Sequence, residues 1–142
     1  MALEIERRFL IKNDNWKKFI TKKIFIEQGY LSKSLDDWII RIRFTGKDFK
    51  IALKKHIENF TNFEFEYSIP RKDGETIMSN LSSTIKKERF FLEVANKSWV
   101  IDCFKGNNYP LEIAEIELNF RNFKWIIISL KAIYNPRFIC NF

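Results

Sequence analysis

Apolar and charged residues alternate with period two along most of this chain. The pattern begins in the first nine residues, where Leu3, Ile5, Arg7 and Phe9 fall on one side of an extended strand and Glu4, Glu6 and Arg8 on the other. It returns over Trp38–Thr45, with Trp38, Ile40, Ile42 and Phe44 set against Ile39, Arg41 and Arg43. Gly46 to Asp48 then reads as a hairpin turn into Phe49–His56, where Phe49, Ile51 and Leu53 alternate with Lys50, Ala52 and Lys54. Phe60–Ile69 sets Phe63, Phe65, Tyr67 and Ile69 against Glu64 and Glu66. Thr84–Val94 sets Lys87 and Arg89 against Phe90 and Leu92, Ser98–Phe104 sets Asp102 against Ile101 and Cys103, and Leu111–Asn119 sets Glu115 and Glu117 against Ala114, Ile116 and Leu118. Ile24–Ser32 completes a set of eight strands.

Helical spacing is confined to three places. Asn13 or Asp14 can cap a short helix through Lys23 with Trp16, Phe19 and Ile20 on its apolar side, and a second helix follows Pro70 over Asp73–Leu81. Phe123, Ile126, Ile127, Leu130 and Ile133 predict a C-terminal helix over 120–133, ended by Asn135-Pro136. Eight strands with few crossover helices make a mainly β chain of the α+β kind with an antiparallel sheet. Closure into an eight-stranded barrel, with short flanking helices and the C-terminal helix, removes the unpaired edges.

Such a barrel has charge on its inner face. Glu4, Glu6, Glu64, Glu66, Asp102, Glu115 and Glu117 would share the interior with Arg8, Arg41, Arg43, Lys54, Lys87 and Arg89. Buried charges are tolerated only when paired or ligated. Crowded carboxylates call for a divalent cation, and crowded cations for a multiply charged anion. A polyphosphate carrying Mg²⁺ or Mn²⁺ answers both demands, since oxygen donors suit these hard ions.

Composition narrows the frame. The 142 residues are expected to form a single domain, 1–142, and 46% hydrophobic residues with 15 Phe and 4 Trp mark a chain with a real core. The formal net charge of +7 suggests an anionic partner. Nucleic-acid binding would call for an exposed basic strip rather than alternating inward cations, so neither a nucleic acid nor a membrane is the expected partner. The longest apolar stretch near the end, Trp125 to Ile128, is too short to span a bilayer, and charges interrupt the N-terminus before any signal-type apolar run. Cys103 and Cys140 lack metal-ligand spacing and read as buried free thiols of a cytoplasmic protein. A homodimer is one admissible assembly.

The motifs also resemble a known family. Glu4-Ile5-Glu6-Arg7-Arg8-Phe9-Leu10 is similar to the opening ExExK motif of the CYTH superfamily, the triphosphate tunnel metalloenzymes. The resemblance continues through Gln28-Gly29-Tyr30-Leu31, Arg41-Ile42-Arg43, Leu53-Lys54, Glu64-Phe65-Glu66-Tyr67, Lys87-Glu88-Arg89, Ile101-Asp102 and Leu111 to Glu117, and is greatest to the short bacterial branch. It implies a triphosphate tunnel and metal-dependent attack on a triphosphate, inorganic triphosphate being favoured. It implies Glu4, Glu6 and Glu117 as ligands of the main metal. Glu64, Glu66, Asp102 and Glu115 would serve a second metal or position water, and Arg8, Arg41, Arg43, Lys54, Lys87 and Arg89 would grip phosphates.

Three positions depart from the family pattern. Arg8 stands where lysine is usual, beside the tyrosine that Tyr30 matches; Asn62 stands where an arginine is common, and Ser68 replaces a third acid. Arginine stays protonated, so Arg8 can clamp a phosphate but cannot act as a general base. Two other functions remain open on these residues: an adenylyl cyclase acting on ATP, and a non-catalytic polyphosphate- or nucleotide-binding module. His56 and the lysines Lys17, Lys18, Lys22 and Lys23 read as surface residues, the lysines on the first helix. Lys50 reads equally as functional or solvated, Arg7 points outward, and Trp38, Phe44, Phe63 and Phe65 read as packing residues.

Overall fold

Two-faced strands bury both faces only when the sheet curls on itself, and this chain does so. In the computed structural model, which describes residues 3–32 and 37–118, eight strands form one closed antiparallel barrel. They are β1 (Leu3–Leu10), β2 (Ile20–Ser32), β3 (Ile39–Phe44), β4 (Phe49–Glu58), β5 (Thr61–Ile69), β6 (Ile85–Val94), β7 (Lys97–Phe104) and β8 (Glu112–Glu117). The order around the barrel is β1-β5-β4-β3-β2-β6-β7-β8. Strands β2 to β5 and β6 to β8 are two meanders; β2 pairs with β6, and β1 closes the ring between β5 and β8.

The turns follow local chemistry. β3 and β4 are joined through Gly46, whose φ of +83° favours glycine. Ala95 and Asn96, at φ 52° and 58°, make the two-residue turn of β6–β7, the twist-matched hairpin geometry. α1 (Arg71–Ser79) begins directly after Pro70 and packs outside β3 and β4. Gly74 is required there: a Cβ at that position would stand 2.2 Å from Cγ of Phe49.

The main apolar core lies outside the barrel wall. Ile5 and Phe9 of β1, Leu92 and Val94 of β6, Trp99 and Ile101 of β7, and Ala114 and Ile116 of β8 form it, with Trp16 laid over them. Trp16 meets the edge of Phe90 at 5.2 Å between centroids, and Phe9 lies 5.9 Å from Trp99. Each buried indole removes about 150–250 Å² from water, several kcal/mol at about 25 cal/mol per Å². On the opposite wall Phe44 stacks on Phe49, and Trp38 and Phe63 each meet Phe65, the packing roles expected of them. Arg7 does point outward, its guanidinium over the Phe60 ring.

Three readings of the sequence are corrected. The first helix does not run to Lys23: Asn13 caps a 3₁₀ segment over Asp14–Phe19, and residues 20–23 already belong to β2. Pairing of Ile20 with Leu92 and of Lys23 with Phe90 holds that stretch extended, so ladder bonds and tertiary contact override helical spacing. Lys22 and Lys23 therefore sit on a strand, over the rings of Phe91 and Phe90. The second helix starts and ends two residues earlier than its spacing suggested. The predicted C-terminal helix over 120–133, Cys140 and the Pro136–Phe138 tail lie outside the described residues. Among the described residues no helix is long and apolar enough to cross a membrane.

Candidate active site

Residues directly opposite on neighbouring strands share a face, so register decides which charges meet. Around this barrel the inward rows are fixed by pairs such as Arg8↔Glu115, Lys54↔Glu64, Tyr30↔Arg41 and Arg89↔Asp102. They enclose a cavity of about 180 Å³, lined by Glu4, Glu6, Arg8, Gln28, Tyr30, Arg41, Arg43, Lys54, Glu64, Lys87, Arg89 and Glu115. Ile85, Phe104 and Ile113 add an apolar corner. Six cations thus face four carboxylates, an excess that suits an anion.

The ion pairs divide the wall into stations. Lys54 Nζ, from β4, donates to Glu4 and to Glu6 Oε1 at 2.8 Å, and lies 3.8 Å from Glu64 Oε2. Arg41 donates to Glu64 at 2.8 Å. Arg8 donates to Glu6 Oε1 at 2.7 Å and meets Glu115 Oε1 at 3.0 Å, and Arg89 reaches the other oxygen of Glu115 at 3.1 Å. Asp102, 1% exposed, accepts from Nε and Nη2 of Arg89 at 2.7 and 2.8 Å and also from Lys87. The Gln28 amide donates to the Tyr30 hydroxyl at 2.8 Å.

This crowding displaces several proton affinities. Burial, a hydrogen bond with Glu64 and the charge of Glu6 push the Glu4 carboxyl up to about 7 despite Lys54. Burial acts on Glu6 in the same direction, yet Arg8 and Lys54 outweigh it and hold that carboxyl below its usual range. Burial and the neighbouring Arg89 push Lys87 down to about 8, against the attraction of Asp102. Burial, Arg41 and Arg89 likewise push Arg43 down to about 10. Arg8 moves upward, because Glu6 and Glu115 outweigh its burial. An added negative charge beside Arg43 and Lys87 would favour their protonated forms.

Not every expected residue reaches the cavity. Glu66 is taken by Lys50 at 2.7 Å, with Arg43 at 3.7 Å, and Asp102, in the inward row, is covered by Lys87 and Arg89. Glu117 is exposed at the strand end, directly across the ladder from Glu6. Asn62 pairs across the ladder with Glu4 and its amide oxygen lies 3.3 Å from Nδ1 of the exposed His56; Ser68 is exposed. Gln28 was overlooked as a lining residue, although its spacing of two from Tyr30 puts it on the same face. Ile85, Phe104 and Ile113 were overlooked because an apolar residue carries no sign of which face is the lumen.

The donor set fits a hard divalent cation. Glu4, Glu6 and Glu64 present only carboxylate oxygens around one point, and Glu4 resists ionisation unless more positive charge arrives. Among the described residues no three ligating side chains stand ready-arranged to hold an ion, and the Lys54 ammonium lies among Glu4, Glu6 and Glu64.

A closed eight-stranded antiparallel barrel with sorted cations and carboxylates in its lumen defines a triphosphate tunnel protein. An inorganic triphosphatase of Acetivibrio thermocellus is 31% identical over 124 residues, spanning 86% of this chain and 78% of that protein. The chain belongs to the inorganic triphosphatase family of the CYTH superfamily. No family model matches it. The crystal structure of the inorganic triphosphatase NE1496 superposes with a TM-score of 0.58 at 25% identity, over 83% of this chain and 75% of that one. An adenylyl cyclase candidate from Hippeastrum with a dominant triphosphatase activity shares the fold, with a TM-score of 0.64 at 13% identity over 84% and 80%.

Proposed function

We propose that this chain, as one tunnel domain of residues 1–142, hydrolyses inorganic triphosphate to pyrophosphate and phosphate. The observation that carries this reading is the barrel cavity of about 180 Å³ in which six cations outnumber four carboxylates. Arg41, Arg43, Lys54, Lys87 and Arg89 take the phosphate oxygens, stabilising charge that develops as the bridging P–O bond breaks. Arg8 adds a fixed charge at the same wall, and its permanent protonation removes any role as a base.

Glu4, Glu6 and Glu117, with Glu64 beside them, would hold Mg²⁺ or Mn²⁺. Such an ion, when bound, neutralises phosphate oxygens and polarises the phosphorus. Glu115 faces the cavity and orients the attacking water, taking its proton as the water oxygen bonds to the terminal phosphorus and pyrophosphate leaves. The Tyr30 hydroxyl, held by Gln28, donates to a phosphate oxygen beside Arg8. Glu66 and Asp102 position cations instead: Glu66 steadies Arg43, and Asp102 fixes Lys87 and Arg89. The half-buried free thiol of Cys103 fits a reducing, cytoplasmic setting.

Phosphate release from triphosphate, ATP and thiamine triphosphate, with and without Mg²⁺ or Mn²⁺, tests the proposal. Metal-dependent release from triphosphate well above the nucleotide and thiamine substrates supports it. Equal or faster turnover of ATP, cyclic AMP formation, or no turnover at all refutes it.

A further inference from the structure

Lys54 stands apart from the other tunnel cations. Arg43 leans on Glu66, Lys87 and Arg89 on Asp102, and Arg8 bridges Glu6 and Glu115. Lys54 alone among the described cations is paired with both Glu4 and Glu6 and lies within 3.8 Å of Glu64. Its ammonium occupies the centre of the carboxylate group. A lysine ammonium is a compact point charge on a flexible stem, so it can neutralise such a group and also leave it. Burial works against its charge, yet Glu6 and Glu4 outweigh burial and keep it protonated.

Resting on the reading of this cavity as a metal and triphosphate site, we propose that Lys54 is an exchangeable counter-cation that couples the two ligands. With the tunnel empty, Lys54 fills the place of the divalent ion. An incoming metal must drive the ammonium off the carboxylates, towards a lumen that already holds Arg41 and Arg43. Without an anion there, the displaced charge meets the repulsion of Arg41 and Arg43, and metal alone binds weakly. A polyphosphate in the lumen gives the ammonium a new partner, so each ligand strengthens binding of the other by the same factor. Arg41 cannot serve in this way: it holds only Glu64, from the flank of the group.

The test is calorimetric titration of the metal-free protein with Mn²⁺ alone, and separately with tripolyphosphate in chelator, where no turnover occurs. Lys54→Met should bind Mn²⁺ alone about tenfold more tightly than wild type and tripolyphosphate about tenfold more weakly, the scale of one charged contact. Lys54→Arg keeps the charge and locks it with a bidentate fork, so Mn²⁺ alone should bind more weakly than to wild type; this variant also serves if Lys54→Met does not fold. Arg43→Met removes an equal charge away from the group and should change Mn²⁺ affinity only about twofold. Equal Mn²⁺ affinity in wild type and the Lys54 variants overturns the exchange, as does an Arg43→Met effect as large as that of Lys54→Met. Absence of Mn²⁺ binding in all of these proteins, even with pyrophosphate present, overturns the metal reading itself, and the exchange with it.

Discussion

Glu4→Gln should raise the stability of the metal-free protein at mildly alkaline pH and leave it unchanged in acid. Burial, Glu64 and Glu6 lift the Glu4 carboxyl from 4.5 to about 7. The folded chain therefore holds a proton on Glu4 that the unfolded chain releases between those two values. Folding stability contributed by this group is complete below about pH 4.5 and falls as pH rises through about 7. The full displacement corresponds to a ceiling of about 3 kcal/mol at pH 8. Glu64 shares the hydrogen bond and moves the opposite way, helped by Arg41 and Lys54 against its burial, which offsets part of that loss. A net penalty of about 1–2 kcal/mol remains for ionised Glu4. Glutamine has the same size, keeps the contact to Glu64 through its amide N–H, and cannot ionise. Thermal unfolding in chelator should place the variant about 2–6 °C above wild type at about pH 8 and within about 1 °C at about pH 5. Added Mg²⁺ should raise the wild type at pH 8 and erase that gap. A variant that melts below wild type at pH 8, or that gains as much at pH 5, would refute the argument, since carboxylate crowding would not then be the source of the shift.

Other outcomes can be checked separately. Arg8→Lys should change kcat/KM for triphosphate only modestly and Arg8→Ala should lower it about tenfold or more, the scale of one charged phosphate contact. Burial and Arg89 place the Lys87 ammonium near 8, so kcat/KM should decline as pH rises through about 8 while Lys87 loses its charge. In Lys87→Arg that limb should vanish from the rate profile; its persistence would assign it to another group. Asp102→Asn strips the shared partner from two buried cations and should lower stability in urea by about 3–5 kcal/mol, with loss of triphosphate affinity. Gly74→Ala presses a methyl group into Phe49 and should lower the melting midpoint by several degrees, about 1–3 kcal/mol, while turnover persists.

Strand periodicity is a local property, and so the inner face was legible before any fold was known. Successive side chains point to opposite faces of a strand whatever lies beside it, which is why Glu4, Glu6, Arg41, Arg43, Lys54, Lys87 and Arg89 sort together from spacing alone. The number of strands and their antiparallel closure followed from the same pattern. Partners are a different matter, because they depend on which strand lies next to which, and at what register. Nothing within β7 says that Asp102 will be sealed by Lys87 and Arg89, nor within β4 that Lys54 will enter the carboxylates of β1. The insertion of β1 between β5 and β8 sets Glu6 opposite Glu117 and brings Glu4 within reach of Glu64, although each partner lies far along the chain. The same long-range pairing extends β2 back to Ile20 and turns Ile26, an apolar residue, into the lumen row beside Lys87 at 1% exposure. Covalent geometry determined which residues face inward; ladder register between distant strands decided which charges meet there and which of them remain open to a ligand.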